Sequence, residues 1–213
     1  MDRYKIIRSA VGPEVLRLVR DSLIIAKDAD YHLEGVPFED KQRFGDSQCR
    51  DSYVSYSHPV CEALLLTVQP TLERETGKSL SPTYSYFRIY WTGAILEKHT
   101  DRESCQYSAS LCVDADPQPW PIFIDGREVT LNPGDMVCYE GMDVEHWREP
   151  YTGKQQIQVF LHFVDKNGVH ADRIFDRRPC LGFDRAMAKA KAAARAEAAL
   201  KLLEQAKNKA SKT

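Results

Sequence analysis

The sequence predicts a mainly β domain flanked by helices, and three observations point to it. Between Leu80 and about Asp165 the chain is a succession of short β-rich runs separated by turn signals, the texture of a sandwich or barrel. Ahead of it, "PEVLRLVRDSLIIAKDADY" places Val15, Leu16, Leu18, Val19, Leu23 and Ile24 near helical spacing. Behind it, "DRAMAKAKAAARAEAALKLLEQAKNKASKT" lacks Gly and Pro and is rich in Ala, Lys, Glu and Leu, so its intrinsic helix propensity is high.

In chain order, Pro13 suits the first turn of the N-terminal helix. Residues 32–57 have no sustained period and read as a loop, a candidate lid. A second helix is expected from about His58, with Pro59 in its first turn, "CEALLLTVQPTLERETG" as its stripe, Pro70 kinking or dividing it and Gly77 as its stop. The strand candidates are "TYSYFRIYW", "CQYSASLCVDA", "WPIFIDG", "EVTLN", "DMVCYEG", "VEHWRE" and "QQIQVFLHFV". Pro133 and Gly134 in "LNPGDMV" suit a type II turn between two of them. In the last run Gln156, Gln158, Phe160 and His162 share one face and Ile157, Val159, Leu161 and Phe163 the other; parity alone does not say whether the polar face lines a pocket or meets water. The expected organisation is one domain over residues 1–182, with its β core at about 80–168, followed by an Ala/Lys-rich C-terminal helix over 183–213.

Composition narrows the class. A chain of 213 residues, 43% hydrophobic and 28% charged, has the makeup of a globular protein able to bury a core. No apolar run approaches the ~20 residues of a bilayer span, so no membrane partner is expected. The start, "MDRYKIIRSAVGPEV", lacks the pattern of a signal peptide, and a cytoplasmic protein is the expectation. The 6 cysteines show no CxxC spacing, which argues against a zinc ribbon or a redox pair. The net charge of −2 hides an asymmetry, because from Phe183 onward 8 Lys/Arg stand against 3 Asp/Glu. The body is therefore acidic, and the basic tail has no aromatics for stacking. It reads as a solvated appendage, and a nucleic-acid partner is not expected.

The chemistry concentrates in "ILEKHTDRESCQYSASLCV", where His99 stands two positions before Asp101. On an extended strand, residues i and i+2 point to one face, roughly 6 to 7 Å apart, so two ligands can converge on an ion. His146, in "DVEHWREP" on another expected strand, is the candidate third ligand. Two histidines and one carboxylate leave coordination positions open, the arrangement of non-haem Fe(II) oxygenases. An H-x-D pair by itself is most often a surface or hydrogen-bonded pair. Here it follows a β run with a Gly turn, "YWTGAILEKH", and the later histidine follows "NPGDMVCYEG".

These runs carry a family resemblance. "SPTYSYFRIYWTGAILEKHTDRESCQYSASL" resembles the first iron-binding part of prolyl-hydroxylase-like Fe(II)/2-oxoglutarate dioxygenases, and "LNPGDMVCYEGMDVEHWREPYTGKQQIQVFLHFVD" resembles their distal half. The resemblance implies a double-stranded β-helix, jelly-roll or cupin-like, buttressed by the N-terminal helices. It further implies Fe(II) held by His99, Asp101 and His146, and 2-oxoglutarate chelating the iron as cosubstrate with O2. In many such proteins an Arg on the last strand, about ten residues after the distal His, grips the far carboxylate of 2-oxoglutarate. That position falls here near Gln155 or Gln156.

Arg148, which shares strand parity with His146 and offers paired donors, ranks first as a substitute anchor, and Lys154 second. The alternative for Arg148 is a surface pair with Glu145 or Glu149. Tyr90 matches a tyrosine that donates to the same carboxylate in similar proteins, and Arg102 is a candidate for orienting an acidic group. Relatives that halogenate have a small residue at the position of Asp101, so its presence points to hydroxylation. The expected activity is hydroxylation of a peptidyl proline, an amino acid or another small metabolite, coupled to decarboxylation of 2-oxoglutarate to succinate. The alternatives are a cupin-like metalloenzyme that does not use 2-oxoglutarate and a non-catalytic β-barrel binding module. The N-terminal helices are also a candidate homodimer contact.

Overall fold

A computed structural model describes residues 3–33, 45–117 and 119–183, with Lys189, Ala193 and Arg195 beyond them. The chain divides into two compact units, Met1–Gly182 and Phe183–Thr213. The helix expected over 183–213 lies, apart from Phe183 and those three positions, outside the described residues. No described helix is long and apolar enough to cross a membrane.

The elements run β1 (Tyr4–Ile7), α1 (Pro13–Leu33), β2 (Ser52–Tyr56), α2 (Pro59–Thr76), β3 (Leu80–Trp91), β4 (Leu96–His99), β5 (Tyr107–Ala115), β6 (Ile122–Ile124), β7 (Arg127–Val129), β8 (Met136–Tyr139), β9 (His146–Arg148) and β10 (Gln155–Asp165). The strands form two antiparallel sheets, a larger one ordered β1-β8-β5-β10-β3-β2 and a smaller one ordered β4-β9-β6-β7. Ile122 and Ile124 of the smaller sheet cluster with Cys112, Val137 and Tyr139 of the larger, so the two sheets close face to face. This is the double-stranded β-helix that the resemblance implies.

Strand alternation gives the larger sheet two unlike faces. Phe87, Ile89, Leu111, Val159 and Leu161 point outward and bury against Leu16, Val19 and Leu23 of α1 and Leu64, Leu65 and Leu72 of α2. Each such side chain contributes roughly 1.5–3 kcal/mol on leaving water. The other face carries Arg88, Tyr90, Ser108, Ser110, Gln156, Gln158 and His162, all buried. A polar face buried inside the barrel is the mark of a site, because packing alone would fill it with apolar groups.

Three local expectations change. Helix α2 runs unbroken through Pro70, which lies on its exposed side, where water can satisfy the Leu66 carbonyl that loses its N–H partner. Gly77 does end it, at φ 68° with its N–H on Glu73 O. Two edge strands, β1 and β2, were not expected. Each has 4 or 5 residues, too few for alternation to stand out, and each gains its ladder only by pairing with a longer strand, β8 or β3.

After β10 the chain folds back over the barrel end through Ala171–Arg177, where Phe175, Asp176 and Arg177 take positive φ of 52°, 54° and 57°. Such backbone costs of order 1 kcal/mol or more per residue and persists only where contacts fix it. Two ion pairs do so. Arg178 Nη2 donates to Glu62 Oε1 at 2.7 Å and to Thr83 O at 2.9 Å, with both charges buried. Asp176 accepts from Arg102 at 2.7 and 2.9 Å, from Ser104 at 2.7 Å and from Tyr56 at 2.6 Å. Burial alone would raise the Asp176 carboxyl, but these four donors bring it down to about 2.

Two outcomes follow for this clamp. Glu62→Ala, which strands the buried Arg178, lowers the unfolding free energy by about 3–5 kcal/mol in urea titration. Asp176 has its pKa depressed from 3.8 to about 2, so its contribution is fully present above about pH 4 and is lost as pH falls through about 2. The stability gap between the parent and Asp176→Asn, measured by denaturant titration across pH 7 to 2, closes in that window.

Candidate functional site

The antiparallel pairing of β4 with β9 sets His99 directly opposite His146. Their rings lie 4.2 Å apart between centroids. Asp101, just beyond the end of β4, turns back toward them, its N–H bonded to Gly141 O at 2.8 Å. Asp101 Oδ1 then stands 3.7 Å from His99 Nε2 and 3.6 Å from His146 Nε2, and one ligand atom from each of the three residues lies within 4.8 Å of the others.

The proton positions suit a cation. His99 Nδ1 bonds to Glu97 O at 2.7 Å and His146 Nδ1 to Val144 O at 3.0 Å. A carbonyl only accepts, so each ring carries its proton on Nδ1 and presents a bare Nε2 lone pair toward Asp101. Burial, then the neighbouring His146, pushes the His99 pKa down. Burial acts to raise the Asp101 carboxyl, but the neighbouring His146 and His162 and the Ser108 hydroxyl hold it below the usual range. Two imidazole nitrogens and a carboxylate oxygen are a donor set suited to a divalent metal.

A cavity of about 300 Å³ opens above these groups, with Tyr84, Tyr86, Arg88, Arg102 and His162 in its walls. Both arginines are already matched to carboxylates of this chain. Arg102 takes Asp176, as above, so the acidic group it orients belongs to the protein itself. Arg88 donates to Asp46 at 3.0 and 2.8 Å and to Gln48 Oε1 at 2.7 Å. Asp46 and Gln48 thus bring part of the segment expected as a lid into the cavity wall; residues 34–44 of that segment lie outside the described residues.

Behind the cavity, three buried donor atoms have no partner among the described residues: Tyr90 Oη, Arg148 Nε and Gln158 Nε2. Arg148 follows His146 on β9 by two residues, and its guanidinium lies over the Trp120 ring at 4.7 Å and donates to Trp120 O at 2.6 Å. Tyr90 packs edge-on against the same ring at 4.9 Å, and Gln158 is diagonal to Tyr90 across the β3–β10 ladder. The alternative surface pairing of Arg148 is overturned, since the residue is buried and no carboxylate among the described residues pairs with it. Leu96, opposite Arg148, and Phe160, two residues from Gln158, line the cavity next to this group.

Lys154 is placed elsewhere. It lies exposed on the turn before β10, where its backbone N–H bonds to Asp116, and it does not line the cavity. Arg88 is a buried, charged cavity residue not expected from the sequence. The signal was present in "YSYFRIYW", whose apolar Phe87, Ile89 and Trp91 face the helices and leave Arg88 on the interior face with Tyr86 and Tyr90.

No family model matches the sequence, and no curated protein matches it. Solved structures do. A Pseudomonas putida prolyl-4-hydroxylase aligns with TM-score 0.53 at 16% identity over 76% of this chain and 92% of that one. HygX from Streptomyces hygroscopicus, solved with nickel, 2-oxoglutarate and hygromycin B bound, aligns with TM-score 0.58 at 9% identity over 78% of this chain and 84% of that one. An oxidoreductase of the 2OG-Fe(II) oxygenase family from Burkholderia pseudomallei aligns with TM-score 0.54 at 10% identity, over 79% and 87% of the two chains. At these identities the likeness is one of fold: the chain has the fold of the prolyl-4-hydroxylase-like 2-oxoglutarate/Fe(II) oxygenases.

Proposed function

We propose that this protein is an Fe(II)- and 2-oxoglutarate-dependent hydroxylase in which His99, Asp101 and His146 hold the metal. The observation that carries the 2-oxoglutarate part is the group of three orphaned donors behind the cavity. A guanidinium taken out of water with no anionic partner is costly, as is a buried hydroxyl or amide with none. A carboxylate placed among Tyr90 Oη, Arg148 Nε and Gln158 Nε2 would satisfy all three at once. Arg148 is thus the proposed anchor, on β9 rather than on the last strand, with Gln158 accounting for the missing basic residue on β10.

The metal and cosubstrate, when bound, supply the oxidation: O2 is consumed, 2-oxoglutarate loses CO2 to become succinate, and one oxygen atom enters the substrate. The chain's own contribution is to bind and to shelter. His99 and His146 offer lone pairs fixed by their Nδ1–H bonds, Asp101 supplies the charged oxygen, and Tyr56, Tyr84, Tyr86 and Tyr139 help to line the cavity above them. A volume of about 300 Å³ suits a small metabolite or a single side chain of a peptide, at the lower end of ligand cavities. The presence of Asp101 favours hydroxylation. The rival reading, a cupin-like metalloenzyme without 2-oxoglutarate, draws on Gln155 and Gln156 standing where a basic residue is expected.

With Fe(II), ascorbate and 2-oxoglutarate, the purified protein is expected to release succinate slowly even without its substrate, and His99→Ala and Asp101→Ala to abolish this. Arg148→Met separates the two metalloenzyme readings. It weakens 2-oxoglutarate binding to the Mn(II)-loaded protein about ten- to a hundredfold by calorimetry, the scale of a charge-assisted hydrogen bond. It also leaves the metal-free protein as stable as the parent or more so, since an unpaired buried charge is removed. Unchanged 2-oxoglutarate affinity together with lost stability would assign Arg148 to the scaffold instead.

A further inference from the structure

The two oxygens of Asp101 have different surroundings. Oδ1 faces the imidazoles of His99 and His146 at 3.7 and 3.6 Å. Oδ2 points the other way and lies 2.8 Å from Ser108 Oγ. Ser108 Oγ in turn stands 2.9 Å from His162 Nδ1 and 3.2 Å from Cys105 O, and Ser108 and His162 are both buried.

One proton decides the direction of this chain. A serine hydroxyl has one hydrogen and an ionised carboxylate has none. The Asp101 contact is therefore a bond only if Ser108 donates to Oδ2. Its oxygen then accepts from His162, which carries its proton on Nδ1. Ser108 and His162 come from β5 and β10 at paired positions, Ser108↔His162, so the ladder itself fixes their separation.

Gly141 closes the arrangement from the remaining side. A Cβ there would stand 2.5 Å from Asp101 Oδ2 and 2.6 Å from Ser108 Oγ, inside contact distance. Gly141 has no positive φ to explain the glycine, so space beside this hydrogen bond is the reason that fits.

We propose that Ser108, oriented by His162, is a positioning residue that holds Asp101 through Oδ2 and so keeps Oδ1 turned toward the metal position beside His99 and His146. The proposal rests on the metal reading above and deepens it. Partners of this kind behind a ligand typically govern metal affinity by 10- to 100-fold.

The test uses the full chain and Mn(II) alone, with affinity measured by calorimetry and the fold checked by near-ultraviolet circular dichroism. Ser108→Ala and His162→Leu are expected to weaken Mn(II) binding roughly 10- to 100-fold while retaining the fold. His162→Asn, which keeps an N–H near the Nδ1 position, is expected to recover most of that loss. The proposal is overturned if Ser108→Ala binds Mn(II) as tightly as the parent or more tightly, or if His162→Asn is no better than His162→Leu. Failure of the underlying metal reading looks different: the parent itself does not bind Mn(II), or His99→Ala binds it as well as the parent does.

Discussion

The site depends on one piece of backbone pairing, the register that places His99 across from His146 at the end of two short strands. Neither strand is stable alone. Strand β4 has 4 residues and β9 has 3, and their ladder gains its support from β6 and from the larger sheet packed against it. Because side chains alternate along a strand, a slip of one residue in either would turn an imidazole out of the barrel. The outer helices therefore serve the chemistry at a distance. By burying the apolar face of the larger sheet, they hold the opposite face inward, where polar groups sit beside the candidate ligands.

The arginines in and around the barrel divide into two kinds by their pairing. Arg88, Arg102 and Arg178 each meet a carboxylate of the same chain, and these pairs tie loops to the barrel: Asp46 before β2, Asp176 after β10 and Glu62 on α2. Such pairs fix geometry more than they add stability. Arg148 is different, because no described carboxylate answers it and its neighbours Tyr90 and Gln158 also have donors to spare. A fold that pairs the buried Arg88 and Arg178 with its own carboxylates and leaves the buried Arg148 without one among the described residues fits a chain that reserves Arg148 for an anion from outside.

Much of this was legible in the sequence, and the parts that were not share a cause. The long strands β3, β5 and β10 announced themselves because 9 to 12 residues of alternation outweigh chance. The candidate triad was legible because His99 and Asp101 are two residues apart, and strand geometry converts that spacing directly into proximity. The edge strands β1 and β2 were not, since nothing local distinguishes "YKII" or "SYVSY" from loop until a partner strand is in place. Lys154 ranked as an anchor on chain distance alone, and it lies exposed before β10, outside the cavity lining. Asp46, Ser108 and Asp176 escaped notice for the same reason: each matters through a contact across 7 to 74 residues, and no periodicity encodes such a partner.

The central claim is that three side chains share one ion and that the orphaned donors behind them receive the far end of 2-oxoglutarate. A crystal structure of the protein grown with Mn(II) and 2-oxoglutarate, with anomalous scattering used to locate the metal, tests both halves together. The expected result is a single anomalous peak within bonding distance of His99 Nε2, His146 Nε2 and Asp101 Oδ1, and a carboxylate among Arg148, Tyr90 and Gln158. A peak elsewhere, or a cosubstrate whose carboxylate lies on Arg88 or Lys154 while Arg148 stays unpartnered, would contradict it.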